Sequence, residues 1–256
     1  MQHLTLIGIG TGNPDHLTLA AIRALNAADL ILIPRKGETK ADLADLRRAV
    51  CAGALTNPAT RIAEFDLPER DPATPDYVQR VEDWHDSIAR VWAATIAAAP
   101  TPRDRVALLV WGDPSLYDST LRIAARIHPA PQVTVIPGIT SLQVLTAAHA
   151  IPLNALAGPV TITTGRRLRD HGWPPEAGRI AVMLDGTCAF ATLPPEGLTI
   201  WWGAYLGMPQ QALDHGPLAE AAPRIVARRT ALRAGHGWIM DCYLLARDDQ
   251  NRDTLA

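Results

Sequence analysis

Two glycine-rich turns contain the residues best suited to binding a ligand. The first is Gly8-Ile9-Gly10-Thr11-Gly12-Asn13-Pro14, and the second is Trp111-Gly112-Asp113-Pro114-Ser115-Leu116-Tyr117. Each follows an apolar run typical of a buried strand, and Pro137-Gly138 follows a third such run. Ligands of open parallel sheets bind beyond the carboxyl ends of the strands, where glycine lets the backbone approach closely. The three turns therefore predict a ligand-binding cleft.

The first turn departs from the common nucleotide-binding fingerprints. A dinucleotide site needs a third glycine where Asn13 stands, and an acid at the far end of the second strand, whereas Asp29 precedes that strand. No Gly-Lys-Ser/Thr follows the turn, so it is not a phosphate-binding loop. These mismatches disfavour nicotinamide and ATP.

Asp113 has two interpretations that the sequence leaves open. Asp-Pro commonly opens a turn, and the carboxylate can simply cap the chain that follows it. The same carboxylate could instead accept hydrogen bonds from a ribose or lie near a cation such as a sulfonium.

Apolar patterning predicts the elements that position these turns. Continuous apolar strands alternating with helices predict an N-terminal domain with a doubly wound, mainly parallel sheet. The predicted strands are Leu4–Ile9, Leu30–Ile33, Arg61–Leu67, Val106–Val110 and Val133–Ile136. The predicted helices are Leu17–Ala28, Asp42–Ala52, Tyr77–Ala99, Ser115–Ile127 and a further one ending at Ala148.

The pattern changes around Ile151-Pro152-Leu153-Asn154. We therefore expect two domains, 1–154 and 155–256, the second an α/β domain with a mixed sheet. Its predicted strands are Val160–Thr164, Ile180–Leu184, Leu198–Trp202, Ile225–Arg229 and Trp238–Leu245.

Composition excludes several classes of protein. The net charge of -2 and the lack of a basic, aromatic stripe argue against a nucleic-acid partner. No run approaches the ~20 apolar residues of a membrane span, and the N-terminus does not resemble a signal peptide. Three widely spaced cysteines match no metal-ligand pattern and are typical of reduced thiols. We expect a soluble, cytoplasmic protein without a metal.

Four ordered motifs resemble those of the tetrapyrrole (corrin/porphyrin) methyltransferases. They are GIGTGNPDHLT at 8–18, GDPSLY at 112–117, PGITSLQ at 137–143 and IPLN at 151–154, and GAYLGMPQQAL at 203–213 with GPL at 216–218 extends the likeness. The resemblance implies two α/β domains with the active cleft between them and a homodimer. It also implies S-adenosyl-L-methionine as methyl donor, S-adenosyl-L-homocysteine as product and a tetrapyrrole as substrate.

Two further segments are similar to one branch of that family. LIPRKGETKADLADLRR at 32–48 and TTGRRL at 163–168 resemble deacetylating C-methyltransferases of the aerobic cobalamin pathway. This likeness implies methylation of precorrin-5 at ring carbon C-1, with hydrolytic loss of acetate, to give precorrin-6A.

The resemblance assigns roles to particular residues. The cofactor contacts it implies are Trp111, Gly112, Asp113, Leu116, Ser141, Leu142, Leu184 and Gly216. The first glycine turn would face the tetrapyrrole through Gly10, Gly12 and Pro14. Cations that follow strands would bind the substrate carboxylates, or else form a solvated basic face: Arg35, Lys36, Arg166 and Arg167.

Deacetylation also requires a group that orients water. Tyr117, Asp185 and His149 are the candidate catalytic residues, with Asp118 and His236 as further choices. Asp185 lies in MLDG, which departs from the family pattern. Other precorrin methyltransferases, a ribosomal RNA methyltransferase of the same fold class and a non-catalytic tetrapyrrole-binding subunit remain as alternatives.

Overall fold

The structure, a computed structural model, describes residues 1–35, 41–100 and 102–248. The chain divides into two compact units, Met1–Thr140 and Ser141–Ala256. The sequence pattern placed this boundary near residue 154. The chain divides earlier because the helix Ser141–His149 packs on strands of the second unit.

The first unit has five strands and four helices. The strands are β1 (His3–Gly8), β2 (Leu30–Arg35), β3 (Arg61–Asp66), β4 (Arg105–Val110) and β5 (Gln132–Ile136). The helices are α1 (Leu19–Ala27), α2 (Ala41–Ala54), α3 (Tyr77–Ala98) and α4 (Thr120–Ala124). All strand pairings are parallel, in the order β3-β2-β4-β1-β5, which confirms the predicted parallel sheet.

Alternate residues of each central strand enter two different cores. Leu4 and Leu6 of β1 pack in the cluster that includes Trp92 of α3, whereas Ile7 packs in the cluster that includes Leu25 of α1. Successive side chains of a strand point to opposite faces, so a strand covered on both faces must be apolar throughout. The helices therefore lie on both faces of the sheet, as the unbroken apolar runs predicted.

Strand order identifies where this sheet can hold a ligand. The connection from β1 to β2 runs toward the β3 edge of the sheet, and the connection from β4 to β5 runs toward the β5 edge. Adjacent strands whose connections leave in opposite directions form a crevice at their carboxyl ends. The two glycine turns that follow β1 and β4 line that crevice.

The second unit has a mixed sheet, as predicted. Its helices are α5 (Ser141–His149), α6 (Gly165–His171) and α7 (Leu218–His236). Its strands are β6 (Val160–Thr164), β7 (Arg179–Met183), β8 (Leu198–Ala204), β9 (Ala212–Pro217) and β10 (Asp241–Arg247). In the order β6-β7-β10-β8-β9, only β6 and β7 pair in parallel.

Three elements differ from the sequence expectation. The predicted strand Ile225–Arg229 lies inside α7, because buried Leu218, Ala221 and Ile225 recur at helical spacing. Edge strand β9 was missed because its glycine and proline resemble a turn. Of the predicted helix Ser115–Ile127, only Thr120–Ala124 is an α-helix.

Candidate active site

The three glycine turns of the first unit lie together at the carboxyl ends of β1, β4 and β5. Gly10 and Gly112 form a β-bridge in which each N–H donates to the other residue's carbonyl, at 3.3 and 2.7 Å. A Cβ at Gly8 would lie 2.5 Å from Gly138 N and 2.9 Å from Gly112 O. A Cβ at Gly138 would lie 2.1 Å from Gly112 O. Side chains are thus excluded at Gly8 and Gly138, and the three backbones touch.

Asp113 holds two of these turns in place. Its Oδ2 accepts a hydrogen bond from Gly138 N at 2.8 Å, and its Oδ1 accepts from Ser115 N at 2.8 Å and from Ser115 Oγ at 2.5 Å. Burial raises the pKa of the Asp113 carboxyl, but the hydrogen bonds from Ser115 and Gly138 outweigh it and keep that pKa below its usual value. Asp113 therefore remains ionised and fixes the geometry of the second turn.

Gly112 is buried, but its Cα borders open space. Its φ of 66° is a conformation that favours glycine, and a Cβ there would have no neighbour within 4 Å. Trp111 and Leu116 are half-buried beside it, while Tyr117, also left-handed at φ 49°, is 43% exposed. This site combines open space beside a buried glycine backbone with the fixed negative charge of buried Asp113.

The turn after β1 presents a histidine that sequence reasoning missed. Gly12 has φ 114°, and exposed Pro14 begins a one-turn 3-10 helix that ends at His16. His16 Nδ1 lies 3.3 Å from the hydroxyl oxygen of Thr11, whose residue is 2% exposed. Its position inside the GNPDH segment was the available signal, but only the fold shows that it packs against Gly10.

Two arginines lie near the carboxyl ends of β2 and β4. Arg35 donates to Asp66 at 2.8 Å and is half-exposed, whereas its predicted neighbour Lys36 falls outside the described residues. Arg47 of α2, which the sequence did not single out, donates from Nε to the carbonyl of Leu109 at 3.0 Å. Burial lowers the pKa of Arg47 to about 10, so it stays cationic at neutral pH.

The second unit brings several predicted residues together at the carboxyl ends of β6 and β7. Exposed Arg166 and Arg167 lie in the first turn of α6, where Arg167 N donates to Thr164 Oγ1 at 3.3 Å. Gly165 touches the loop after β7, since a Cβ there would lie 2.4 Å from the Asp185 side chain. In that loop, Leu184 is 65% exposed and left-handed at φ 54°.

Asp185 organises this loop. One carboxylate oxygen accepts from Thr187 N and Oγ1 at 2.9 and 3.2 Å, and the other accepts from Ala189 N and Tyr243 Oη at 2.6 and 2.7 Å. Arg229 adds a bond from Nη2 to the Asp185 carbonyl at 2.7 Å. Because four donors already occupy this 5%-exposed carboxylate, its role is to shape the loop rather than to orient water.

Other predicted residues of the second unit lie elsewhere. Leu142 is 2% exposed, and the Ser141 carbonyl accepts from Cys242 Sγ at 3.9 Å. Gly216 pairs with Ile200, near the opposite end of the strands from Leu184. Leu184 lies level with Ala204 of β8, four residues along that strand from Ile200. Gly216 is therefore about 13 Å from Leu184 along the strand direction. The structure does not group Gly216 with Leu184.

The histidine candidates of this unit have partners. His149 Nε2 lies 3.0 Å from the Trp202 carbonyl, so that nitrogen donates, and burial lowers the pKa of this imidazole. The His236 ring packs on Tyr205, with centroids 5.1 Å apart. In the first unit, Asp118 Oδ1 accepts from Thr120 N at 2.6 Å.

Neither a metal cluster nor a membrane span is found in the described ranges. No three His, Cys, Asp or Glu side chains among residues 1–35, 41–100 and 102–248 are grouped to hold a metal ion. No helix within these ranges is long and apolar enough to cross a bilayer.

The fold and its glycine turns define a methyltransferase class, and the chain belongs to it. The family model of Tetrapyrrole (Corrin/Porphyrin) Methylases matches residues 3–222, which confirms the resemblance of the motifs. Over 251 residues, 96% of each chain, the protein is 46% identical to a precorrin-6A synthase [deacetylating] of Sinorhizobium sp.. It is 32% identical over 182 residues to a precorrin-2 C(20)-methyltransferase of Sinorhizobium sp., covering 64% of this chain and 69% of that one.

Solved structures agree with this membership. A cobalamin synthesis related protein (CobF) from Corynebacterium diphtheriae is 40% identical, with a TM-score of 0.81 over 96% of this chain and 99% of that one. The uroporphyrin-III C-methyltransferase of Thermus thermophilus, crystallised with S-adenosyl homocysteine, has a TM-score of 0.59 over 97% and 99%. At 20% identity, the latter shows a shared fold only.

Proposed function

We propose that this protein is an S-adenosylmethionine-dependent C-methyltransferase of cobalamin biosynthesis. It methylates precorrin-5 at C-1 with hydrolytic loss of acetate, giving precorrin-6A. Two findings support the substrate: the nearly full-length identity of 46% to a deacetylating precorrin-6A synthase, and the PRKGE and TTGRRL segments. The observation that carries the activity is the open space beside Gly112, framed by three touching turns that Asp113 holds in place.

The residues of the first unit fit the methyl donor. The space beside Gly112 is free of side chains, and the negative charge of the nearby Asp113 carboxylate suits a sulfonium. When bound, S-adenosylmethionine supplies an electrophilic methyl group. Trp111 and Leu116 offer apolar surface beside that position, and their partial exposure leaves them available for contact.

Positioning is the main contribution that such a site can make. Displacement at a sulfonium carbon demands alignment rather than a proton, and alignment can contribute up to about 7–11 kcal/mol. The rigid bridge between Gly10 and Gly112 provides that alignment within the first unit. In the second unit, exposed Leu184 is the cofactor contact best presented, since a saturated hydrogen-bond network holds its loop.

Arginines are the groups that bind the substrate. Precorrins carry several carboxylates, which guanidinium groups bind with paired hydrogen bonds. Arg166 and Arg167 are exposed at the carboxyl end of β6, and Arg47 lies near the carboxyl end of β4. Arg35 is paired with Asp66 in an exposed contact, which a substrate carboxylate can replace at small cost.

The decisive experiment incubates the purified protein with precorrin-5 and S-adenosylmethionine. We expect equal amounts of acetate, S-adenosylhomocysteine and precorrin-6A, measured by NMR and mass spectrometry. Methyl transfer to another precorrin without acetate would support a different tetrapyrrole methyltransferase. Cofactor binding without turnover on any precorrin would refute the proposed reaction.

We also propose that the protein is a homodimer in the cytoplasm. Light scattering tests the oligomeric state, and cell fractionation tests the location.

A further inference from the structure

We propose that His16 is a catalytic residue, the general base that activates water for removal of the acetyl group. This inference rests on the proposed function, because it assigns a group to the hydrolytic half of that reaction.

His16 packs against Gly10, the residue of the first turn that is bridged to the second turn. A Cβ at Gly10 would lie 2.9 Å from the His16 Cβ, so the imidazole stem packs directly against Gly10. Gly10 is in turn hydrogen-bonded to Gly112 in both directions. His16 therefore contacts the first turn at the residue that is hydrogen-bonded to Gly112, beside the space proposed for the methyl donor.

The local backbone holds His16 rigidly. His16 N donates to the Asn13 carbonyl at 2.9 Å, and Asn13 Oδ1 accepts from Asp15 N at 2.9 Å, which closes the short helical turn from Pro14. A catalytic base needs this fixed placement, because a shift of about 1 Å can cost 10²-fold in rate.

Thr11 anchors one nitrogen of the imidazole. The His16 Nδ1 and Thr11 Oγ1 atoms are 3.3 Å apart, and Thr11 is buried. The proposed role requires the tautomer in which Nδ1–H donates to this oxygen, because Nε2 then keeps its lone pair and accepts a proton. The half-buried ring then has one anchored nitrogen and one basic nitrogen.

The other candidate bases are less suited to this step. The carboxylate of Asp185 is buried and accepts four hydrogen bonds. Asp118 Oδ1 accepts from both the backbone and the hydroxyl of Thr120. The Nε2–H of His149 donates to Trp202, and burial lowers its basicity.

The chemistry balances with water as the only reactant besides the two substrates. Nε2 of His16 takes a proton from water, and the oxygen adds to the acetyl carbonyl carbon. The bond between that carbon and C-1 then breaks, its electron pair stays in the ring system at C-1, and acetic acid leaves as acetate and a proton. That pair is the one that forms the new bond to the methyl group, after which His16 returns its proton to solvent.

Two substitutions separate catalysis from loop structure. His16→Asn keeps an amide near the position of Nδ1, and hence the contact with Thr11, but has nothing at the position of Nε2. We expect acetate release and S-adenosylhomocysteine formation to fall together by about 10²–10⁴-fold, with cofactor affinity unchanged by calorimetry. His3→Asn, at the exposed amino end of β1, is the matched control and should keep full activity.

Two readouts test the imidazole itself. Added imidazole should restore part of the activity of His16→Ala but not affect His3→Asn. In ¹⁵N spectra of histidine-labelled protein, the signals lost in His16→Asn should be those of an Nδ1–H tautomer.

The outcomes are distinct. If the wild-type protein releases no acetate from precorrin-5, the proposed function is refuted. Wild-type release combined with full activity of His16→Asn overturns only the role of His16, as does an activity loss that tracks weakened cofactor binding and resists imidazole.

Discussion

Gly138→Ala is the sharpest test of the joined turns. The added Cβ would lie 2.1 Å from Gly112 O and 2.8 Å from Gly8 C, both backbone atoms that no rotamer change can move. Ordinary contact begins at 3.4 Å, so the segments must separate by about 1.3 Å. The φ of Gly138 is not positive, so this steric effect is the only strain that alanine introduces there.

The cost follows from what that separation disrupts. Forced overpacking costs about 1–3 kcal/mol, and a hydrogen bond to a charged group, here from Gly138 N to Asp113, is worth about 1.5–3 kcal/mol. We expect a loss of about 2.5–6 kcal/mol in the free energy of unfolding of the first unit. A displaced second turn should also lower kcat/KM about 10²-fold.

Gly53→Ala provides the matched control. Gly53 lies in α2, and a Cβ there would have no neighbour within 4 Å, so alanine should stabilise the helix by up to about 1 kcal/mol. Urea unfolding and calorimetry with S-adenosylhomocysteine measure both variants. If Gly138→Ala matches Gly53→Ala in stability and cofactor affinity, the close approach of the three turns is wrong.

Three further outcomes are expected. Asp113→Ala removes the acceptor that joins two turns and should weaken cofactor binding by about tenfold or more in calorimetry; unchanged affinity excludes Asp113 from the site. Replacing both Arg166 and Arg167 with Ala should raise the precorrin KM about tenfold and leave cofactor affinity intact, whereas an unchanged KM assigns them to a solvated face. His85 is 2% exposed, and its ring nitrogens have no hydrogen-bond partner among the described residues. Burial, and to a smaller extent the charge of Arg126, lowers the pKa of this imidazole below 6.5. Wild-type stability should therefore be fully present above the unfolded-state pKa and decline as the pH falls below it, while His85→Leu flattens this dependence in urea titrations between pH 7 and 5; an equal slope would contradict the assignment.

The sheet of the first unit was predictable because its signal is local. Strands covered on both faces must be apolar at every position, and the run Val106–Val110 shows this without knowledge of its neighbours. The errors arose where local preference and tertiary packing disagree. Ile225–Arg229 was predicted as a strand, yet burial of an apolar stripe against the sheet sustains α7 through this segment, with Pro223 inside the helix.

The site was predictable in part for a related reason. Turns that follow parallel strands must share one edge of the sheet, so Gly10, Gly112 and Gly138 were expected to gather. Their contacts were not predictable, because a 2.1 Å approach depends on register between strands far apart in the chain. Asp113 shows the same limit, since its partner Gly138 lies 25 residues away.

Ordered motifs and apolar periodicity are properties of the linear chain, so they were enough to predict the family, the parallel sheet and the edge at which the turns lie. The role of each polar group depends on the folded structure. In that structure the Asp185 carboxylate accepts four hydrogen bonds, Asp113 bridges two loops, and His16 packs against Gly10. Hydrogen-bond capacity and the space beside a residue are set by neighbours in three dimensions, and a linear pattern does not contain them.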